Sequence, residues 1–214
     1  VRTDAHVLRV EFEGSRAVGV TVRIAGRTHR FSARAEVILA AGAAQTPQLL
    51  ELSGVGDPAI LQALDIPVRA ALPGVGANYI DHFCTRMNWR VKQPVTLNEQ
   101  TRGVKLGLSV LQYVATRRGI LTLGTGLAFG IVRTRPELAG PDVQYFFMHA
   151  SSANAAERKL DRLPGMTIGV TQLRPESRGT IHAVSPDPMR APAIRPNFLA
   201  AGEDCRAMVE GMKI

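Results

Sequence analysis

The sequence predicts an α+β fold, cut at both ends. An α/β portion in residues 1–82 precedes a second region, residues 83–214, with a mainly antiparallel sheet and covering helices. Three observations carry this. Residues 8–24 alternate apolar and polar around a glycine, an antiparallel hairpin. The continuous apolar run Val37, Ile38, Leu39 reads as a strand covered on both faces, and it leads straight into helix signals. A long helical stripe over 101–118 is followed by period-two alternation over 143–149.

In the hairpin, Leu8, Val10 and Phe12 form one arm, Gly14 the turn, and Val18, Val20, Val22 and Ile24 the other arm. A second turn near Gly26 returns the chain toward the 37–39 strand, which ends at Gly42. Thr46 then offers an N-cap oxygen and Pro47 suits the first helical position, where its missing N–H costs nothing. Leu49, Leu50 and Leu52 supply the buried side, and Gly54 closes the helix as a left-handed cap. Asp57 and Pro58 start a second short helix over 59–64 by the same logic, and Pro67 stops it. Pro73, Gly74, Val75 and Gly76 form a loop suited to close backbone approach.

Over 101–118, Val104, Leu108, Leu111 and Ala115 share a stripe that is expected to cover a sheet, with Gly119 as the stop. That sheet takes in 143–149, where Gln144, Phe146 and Met148 face one way and Tyr145, Phe147 and His149 the other. It also takes in 166–173 and 180–184. The glycine-rich stretch from Gly124 through Thr125 and Gly126 to Gly130 lacks GxGxxG spacing and a following capped helix, so it reads as a loop near a cavity. Tyr145, Phe147 and the single Trp89 are candidates to line that cavity. The sequence opens on Val1 in strand-like residues and closes at Ile214 in a helical pattern, with Cys205, Met208, Val209 and Met212 on one face. An internal piece of a longer protein is therefore expected.

A formal charge of +8 invites a nucleic-acid reading. The distribution argues against it: the basic residues are scattered, and the pair Arg117 and Arg118 sits at a helix end where cations offset the dipole. Aromatic residues make up 5%, too few for a base-stacking platform. Cys84 and Cys205 have no metal-ligand or disulfide spacing and are expected to be buried free thiols. No apolar run approaches the roughly 20 residues of a membrane span. The best, 119–132, is interrupted by glycine and threonine.

The string GAAQTPQLLELSGVG, residues 42–56, resembles position for position the second signature of the glucose–methanol–choline (GMC) oxidoreductases. Small residues stand at Gly42 and Ala43, then Thr46 with Pro47, the Leu49, Leu50 pair, and Ser53, Gly54, Val55, Gly56. Upstream, VRTDAHVLRVEFEGSRAVGVTV is similar to the strand pair before this signature in choline dehydrogenase-like members. Downstream, PGVGANYIDHF resembles the family loop ending in Asp-His, and residues 173–199 the opening of its C-terminal region. The resemblance is weakest over 92–154, where the family varies with substrate.

The resemblance implies an FAD-dependent enzyme that oxidises a small-molecule alcohol, choline-like or another primary alcohol, by hydride transfer to flavin. Residues 1–82 would be the later part of the FAD domain and 83–214 the substrate domain with the start of the C-terminal region. It implies cofactor contacts at Val7 through its backbone, at Ala41 and Gly42 beside adenine and ribose, at Thr46, and at Asn78 and His82 near the flavin end. As a general base, His82 beside Asp81 reads instead as structural, as do His149 and His182, and none completes a catalytic constellation. The family's diphosphate-binding GxGxxG and its C-terminal proton-accepting His do not appear, so no catalytic residue is assigned and the chain alone is expected to be inactive. No metal and no nucleic-acid partner is expected; the electron acceptor stays open. The expected setting is cytoplasmic, with peripheral membrane association left open. A lyase or sugar oxidase on the same scaffold, or a non-catalytic remnant of it, are the rival readings.

Overall fold

The computed structural model describes residues 1–124, 126–154, 157 and 159–214. In chain order its elements are β1 (Ala5–Glu13), β2 (Arg16–Ile24), β3 (Arg27–Ser32), α1 (Gly42–Leu52), β4 (Val55–Gly56), α2 (Pro58–Ala63) and β5 (Ala70–Ala71). There follow β6 (Cys84–Arg90), α3 (Leu97–Gln100), α4 (Gly103–Thr116), β7 (Ala128–Val132), β8 (Val143–Met148), β9 (Ser152–Asn154), β10 (Lys159–Leu160) and β11 (Gly165–Gln172). The last three are β12 (Thr180–His182), β13 (Ala193–Arg195) and α5 (Gly202–Lys213).

These elements form two compact units, Val1–Asp81 with Ser177–Phe198, and His82–Glu176 with Leu199–Ile214. The first break falls between Asp81 and His82. The second unit is not continuous, however, because the chain returns to the first unit for 177–198.

In the first unit β1, β2 and β3 make an antiparallel meander. The turns sit at Gly14 and at the Ala25, Gly26 pair, all at positive φ, which is the geometry of tight hairpin connections. Val10 and Val22 are buried on one face, and Leu49 of α1 is buried as well. Residues 37–39 are not a strand. A strand is made by hydrogen bonding to a neighbour, and the meander strands pair only with one another. Ile38 is 79% exposed, not covered on both faces.

The helix α1 starts at Gly42, four residues before the expected cap, so Thr46 is not its N-cap and Pro47 lies inside it. Gly42, at φ +82°, leads the preceding segment directly into the helix. Pro47 has no N–H for the carbonyl of Ala43 four residues back, an interior cost the sequence rule was meant to avoid. The other end is as expected: Gly54 sits at φ +82°, and a Cβ there would meet the Pro67 carbonyl at 2.6 Å. Asp57 caps α2 by accepting the Ala59 N–H at 2.8 Å, with Pro58 at the first position. β4 and β5 are a short parallel pair, and β12 pairs with β13. Residues 180–184 are thus no part of the large sheet, because their partner strand is 193–195.

The second unit is built on an antiparallel sheet in the order β6, β11, β8, β7. Two of these strands, β6 and β7, come from stretches with little sequence signal, and β7 takes the end of the glycine-rich stretch out of the loop class. Thr125 of that stretch lies outside the described residues. The core is Val143, Val170 and Met208, with Met87 and Tyr145 against it. α5 lies on this face, and Gly211 allows the approach: its Cβ would stand 3.0 Å from Val170. The buried face of α5 is Asp204, Ala207, Met208 and Gly211; Cys205, Val209 and Met212 stay outside it. Asp204 decides this phase, because its buried carboxylate accepts from the Gln172 amide at 2.6 Å and the Glu176 N–H at 2.8 Å.

The helix α4 ends at Arg117 in the left-handed region with Gly119 following, but it covers no sheet. None of its residues is buried, and Val104, Leu108 and Leu111 are 81%, 62% and 65% exposed. Both cysteines are free, as expected, but exposed rather than buried. No helix among the described residues is long and apolar enough to cross a membrane.

Candidate functional site

The first unit holds two cavities on either side of the start of α1. The larger, about 710 Å³, is walled by Val7, Val20, Leu39, Ala41, Leu49 and Pro188, among others. The smaller, about 450 Å³, is walled by Ala43, Thr46, Leu50, Gly76, Asn78 and Ile181, among others. Ala41 faces one cavity and Ala43 the other, so Gly42 stands between them. A Cβ on Gly42 would meet nothing within 4 Å; what requires glycine here is its positive φ rather than a protein neighbour.

The electrostatics of this helix start are unsatisfied. Ala41, at the N-cap position, supplies no side-chain bond, and no acidic residue stands in the first turn. The first amides of a helix have no intrahelical acceptor and carry partial positive charge. A site with free amides and flanking cavities suits a phosphate-bearing or other polar, elongated ligand.

The expected site residues separate by unit. Val7, Ala41, Gly42, Thr46 and Asn78 belong to the first unit, and four of them line the two cavities, Val7 and Ala41 the larger, Thr46 and Asn78 the smaller. Asn78 is held at φ +58°, a conformation asparagine tolerates better than most side chains. His82 is exposed, is the first residue of the second unit, and lines neither cavity. Asp81 accepts a hydrogen bond from Tyr79 Oη at 2.7 Å, which holds that phenol above the usual tyrosine range.

Three residues of this region escape sequence reasoning. Glu51 is fully buried; one oxygen lies 2.6 Å from His182 Nδ1 and the other accepts the Ala183 N–H at 2.6 Å. Gln48 is buried and donates to the Arg190 carbonyl at 2.6 Å. Pro188 walls the larger cavity, with its carbonyl 3.3 Å from His6 Nε2. All these partners lie more than 130 residues apart in sequence. The one local signal is a charged residue between Leu50 and Leu52 on a helix otherwise read as apolar.

In the second unit Trp89, Tyr145 and Phe147 do share a cavity, of about 620 Å³, beside the end of α5. Tyr145 Oη donates to the Gly211 carbonyl at 2.6 Å, and burial raises its pKa. Both ring nitrogens of His149 are buried and neither has a partner among the described residues; desolvation lowers its pKa. Among the described residues no group of three or more His, Cys, Asp or Glu could hold a metal ion.

Residues 1–84 match the family model described as GMC oxidoreductase. Over its whole length the chain is 38% identical to an uncharacterized GMC-type oxidoreductase of Mycobacterium bovis and 35% identical to an oxygen-dependent choline dehydrogenase of Staphylococcus aureus. It spans 40% and 37% of those proteins, respectively. Among solved structures, a variant of formate oxidase from Aspergillus oryzae RIB40 aligns with a TM-score of 0.83 at 26% identity, over 98% of this chain and 41% of that one. An FAD-dependent oxidoreductase from Chaetomium thermophilum aligns with a TM-score of 0.81 at 20% identity, over 99% of this chain and 43% of that one, a likeness of fold alone. Its signature at 42–56, its family match over 1–84 and the relatives that align along its whole length are all those of the GMC oxidoreductases, the family this chain is similar to.

Proposed function

We propose that this chain forms part of an FAD-dependent oxidoreductase that oxidises the CH–OH group of a small alcohol, choline or another primary alcohol. The observation that carries this reading is the uncapped start of α1, standing between two cavities in a chain similar to the GMC oxidoreductases. FAD, when bound, supplies a hydride acceptor.

The chain's own contribution is binding and orientation. The helix-start amides at Gly42 and Ala43 would face the polar part of the dinucleotide, and Val7 and Ala41 would form an apolar wall toward its adenine. Thr46 and Asn78 would border the flavin side, and His82 is a further candidate contact. Residues 1–82 act as FAD-binding region and 83–214 as substrate region, with 177–198 serving the first. No residue of the chain is assigned the alcohol proton. Residues 1–214 alone are therefore expected to be inactive and to bind FAD weakly, lacking a glycine-rich diphosphate loop.

The test is expression of the complete reading frame, followed by the visible spectrum and dye-linked turnover on choline and a panel of primary alcohols. Flavin absorption with turnover on one of them is expected. A folded protein without flavin absorption, even after addition of FAD, overturns the reading.

A further inference from the structure

We propose that Glu51 and His182 are a positioning pair that sets the width of the smaller cavity, and through it the affinity for the cofactor. This rests on the FAD reading above. Removing a carboxylate from water is costly unless it is paired and hydrogen-bonded, and apolar residues of similar volume often serve stability as well or better. Leu49, Leu50 and Leu52 show that this stretch of α1 accepts leucine. A charge at Glu51 is therefore explained by what it fixes rather than by packing.

What it fixes is a strand. The two oxygens of Glu51 hold consecutive residues, His182 through its ring and Ala183 through its backbone, so both the depth and the register of β12 against α1 are defined. The preceding residue, Ile181, donates to the Gly76 carbonyl at 2.7 Å and lines the smaller cavity together with Gly76. Gly76, at φ +73°, has no room for a side chain: a Cβ would stand 2.5 Å from His182 Nδ1. Helix α1, the 73–78 loop and β12 thus meet at His182, and the same three segments wall the cavity, through Thr46 and Leu50, Asn78, and Ile181. If Glu51 lets go, Ile181 is free to shift into or away from that space. Gln48, the neighbouring tie, runs to Arg190 and borders the larger cavity instead.

The experiment compares Glu51→Leu, Glu51→Gln, His182→Gln and Asp57→Ala in the protein from the complete reading frame. Its readouts are the FAD dissociation constant by flavin fluorescence and the melting temperature of the flavin-free form. Glu51→Leu is expected to weaken FAD at least tenfold. Glu51→Gln should stay within threefold of wild type, since its carbonyl can accept from Ala183 while its amide donates to the imidazole. Asp57→Ala removes a cap remote from the cavity, so it should lower the melting temperature and leave affinity unchanged. Should Glu51→Leu fail to fold, His182→Gln, at a position whose side chain is 20% exposed, carries the same test with a loss of at least threefold. Wild-type affinity in folded Glu51→Leu, or affinity that merely follows melting temperature across the set, overturns the pair. A wild type that binds no FAD overturns the cofactor reading itself.

Discussion

Ser53 Oγ accepts the backbone N–H of Val10 at 2.9 Å and donates to the Leu49 carbonyl at 2.6 Å, so one buried hydroxyl ties the end of α1 to the middle of β1. Both bonds are enclosed. Ser53→Ala leaves the Val10 amide without an acceptor, and an unsatisfied buried donor costs about 1–3 kcal/mol. Urea unfolding should show that loss with an unchanged m-value. A change below about 0.5 kcal/mol would mean that water or another group takes over the amide.

Gly42 separates two requirements, backbone geometry and free space. Its φ of +82° strains alanine, whereas asparagine adopts positive φ at less cost, and no protein atom would meet a Cβ there. Gly42→Ala is expected to cost about 1 kcal/mol in the flavin-free protein, and Gly42→Asn less. If the space beside Gly42 is where the cofactor lies, both variants lose FAD affinity, asparagine the more because it is larger. Parallel losses of stability and affinity would assign this glycine to the turn alone.

The apolar side of α4 offers a direct test of exposure. Leu108 and Leu111 stand on a helix that buries nothing among the described residues. A contiguous apolar surface of this kind promotes association. Replacing both leucines by lysine in the 214-residue chain should reduce binding of an apolar dye and raise the monomer fraction by light scattering. Stability should move by no more than about 0.5 kcal/mol per site, as for surface substitutions elsewhere. A loss of several kcal/mol would show that α4 is packed in solution.

What the sequence revealed and concealed divides by range. The hairpin at 5–24, the Asp57 cap and the Gly54 stop are legible because their causes lie within four or five residues. Residues 37–39 mislead because apolar composition cannot say whether a neighbouring strand is present. Residues 101–118 mislead because a helical stripe implies a partner without identifying it. The Thr46, Pro47 pair is a sound helix-start signal that loses to a stronger one, the positive-φ glycine four residues earlier. The motif singles out Ala41 and Thr46, which line the two cavities, whereas Glu51 with His182 and Gln48 with Arg190 join residues more than 130 positions apart, which no local pattern encodes.

His149 makes the stability of the second unit depend on pH. Both of its ring nitrogens are buried without a hydrogen-bond partner among the described residues, and desolvation holds its pKa below the ordinary histidine value. In the unfolded chain the imidazole titrates near about 6.5. As pH falls through that value the unfolded state takes up a proton that the folded state still refuses, so stability declines from there down to the lower folded pKa. Above it the contribution is constant. The slope from one such group cannot exceed about 1.4 kcal/mol per pH unit. Urea unfolding of wild type and His149→Leu at pH 8, 7, 6 and 5 isolates the effect, because carboxylate titrations common to both cancel. The wild type should lose stability relative to the variant between pH 7 and 5, with no divergence between pH 8 and 7. Parallel curves over the whole range would mean that the folded imidazole accepts its proton as readily as the unfolded one, and that a solvent molecule or a shift of the ring relieves the burial.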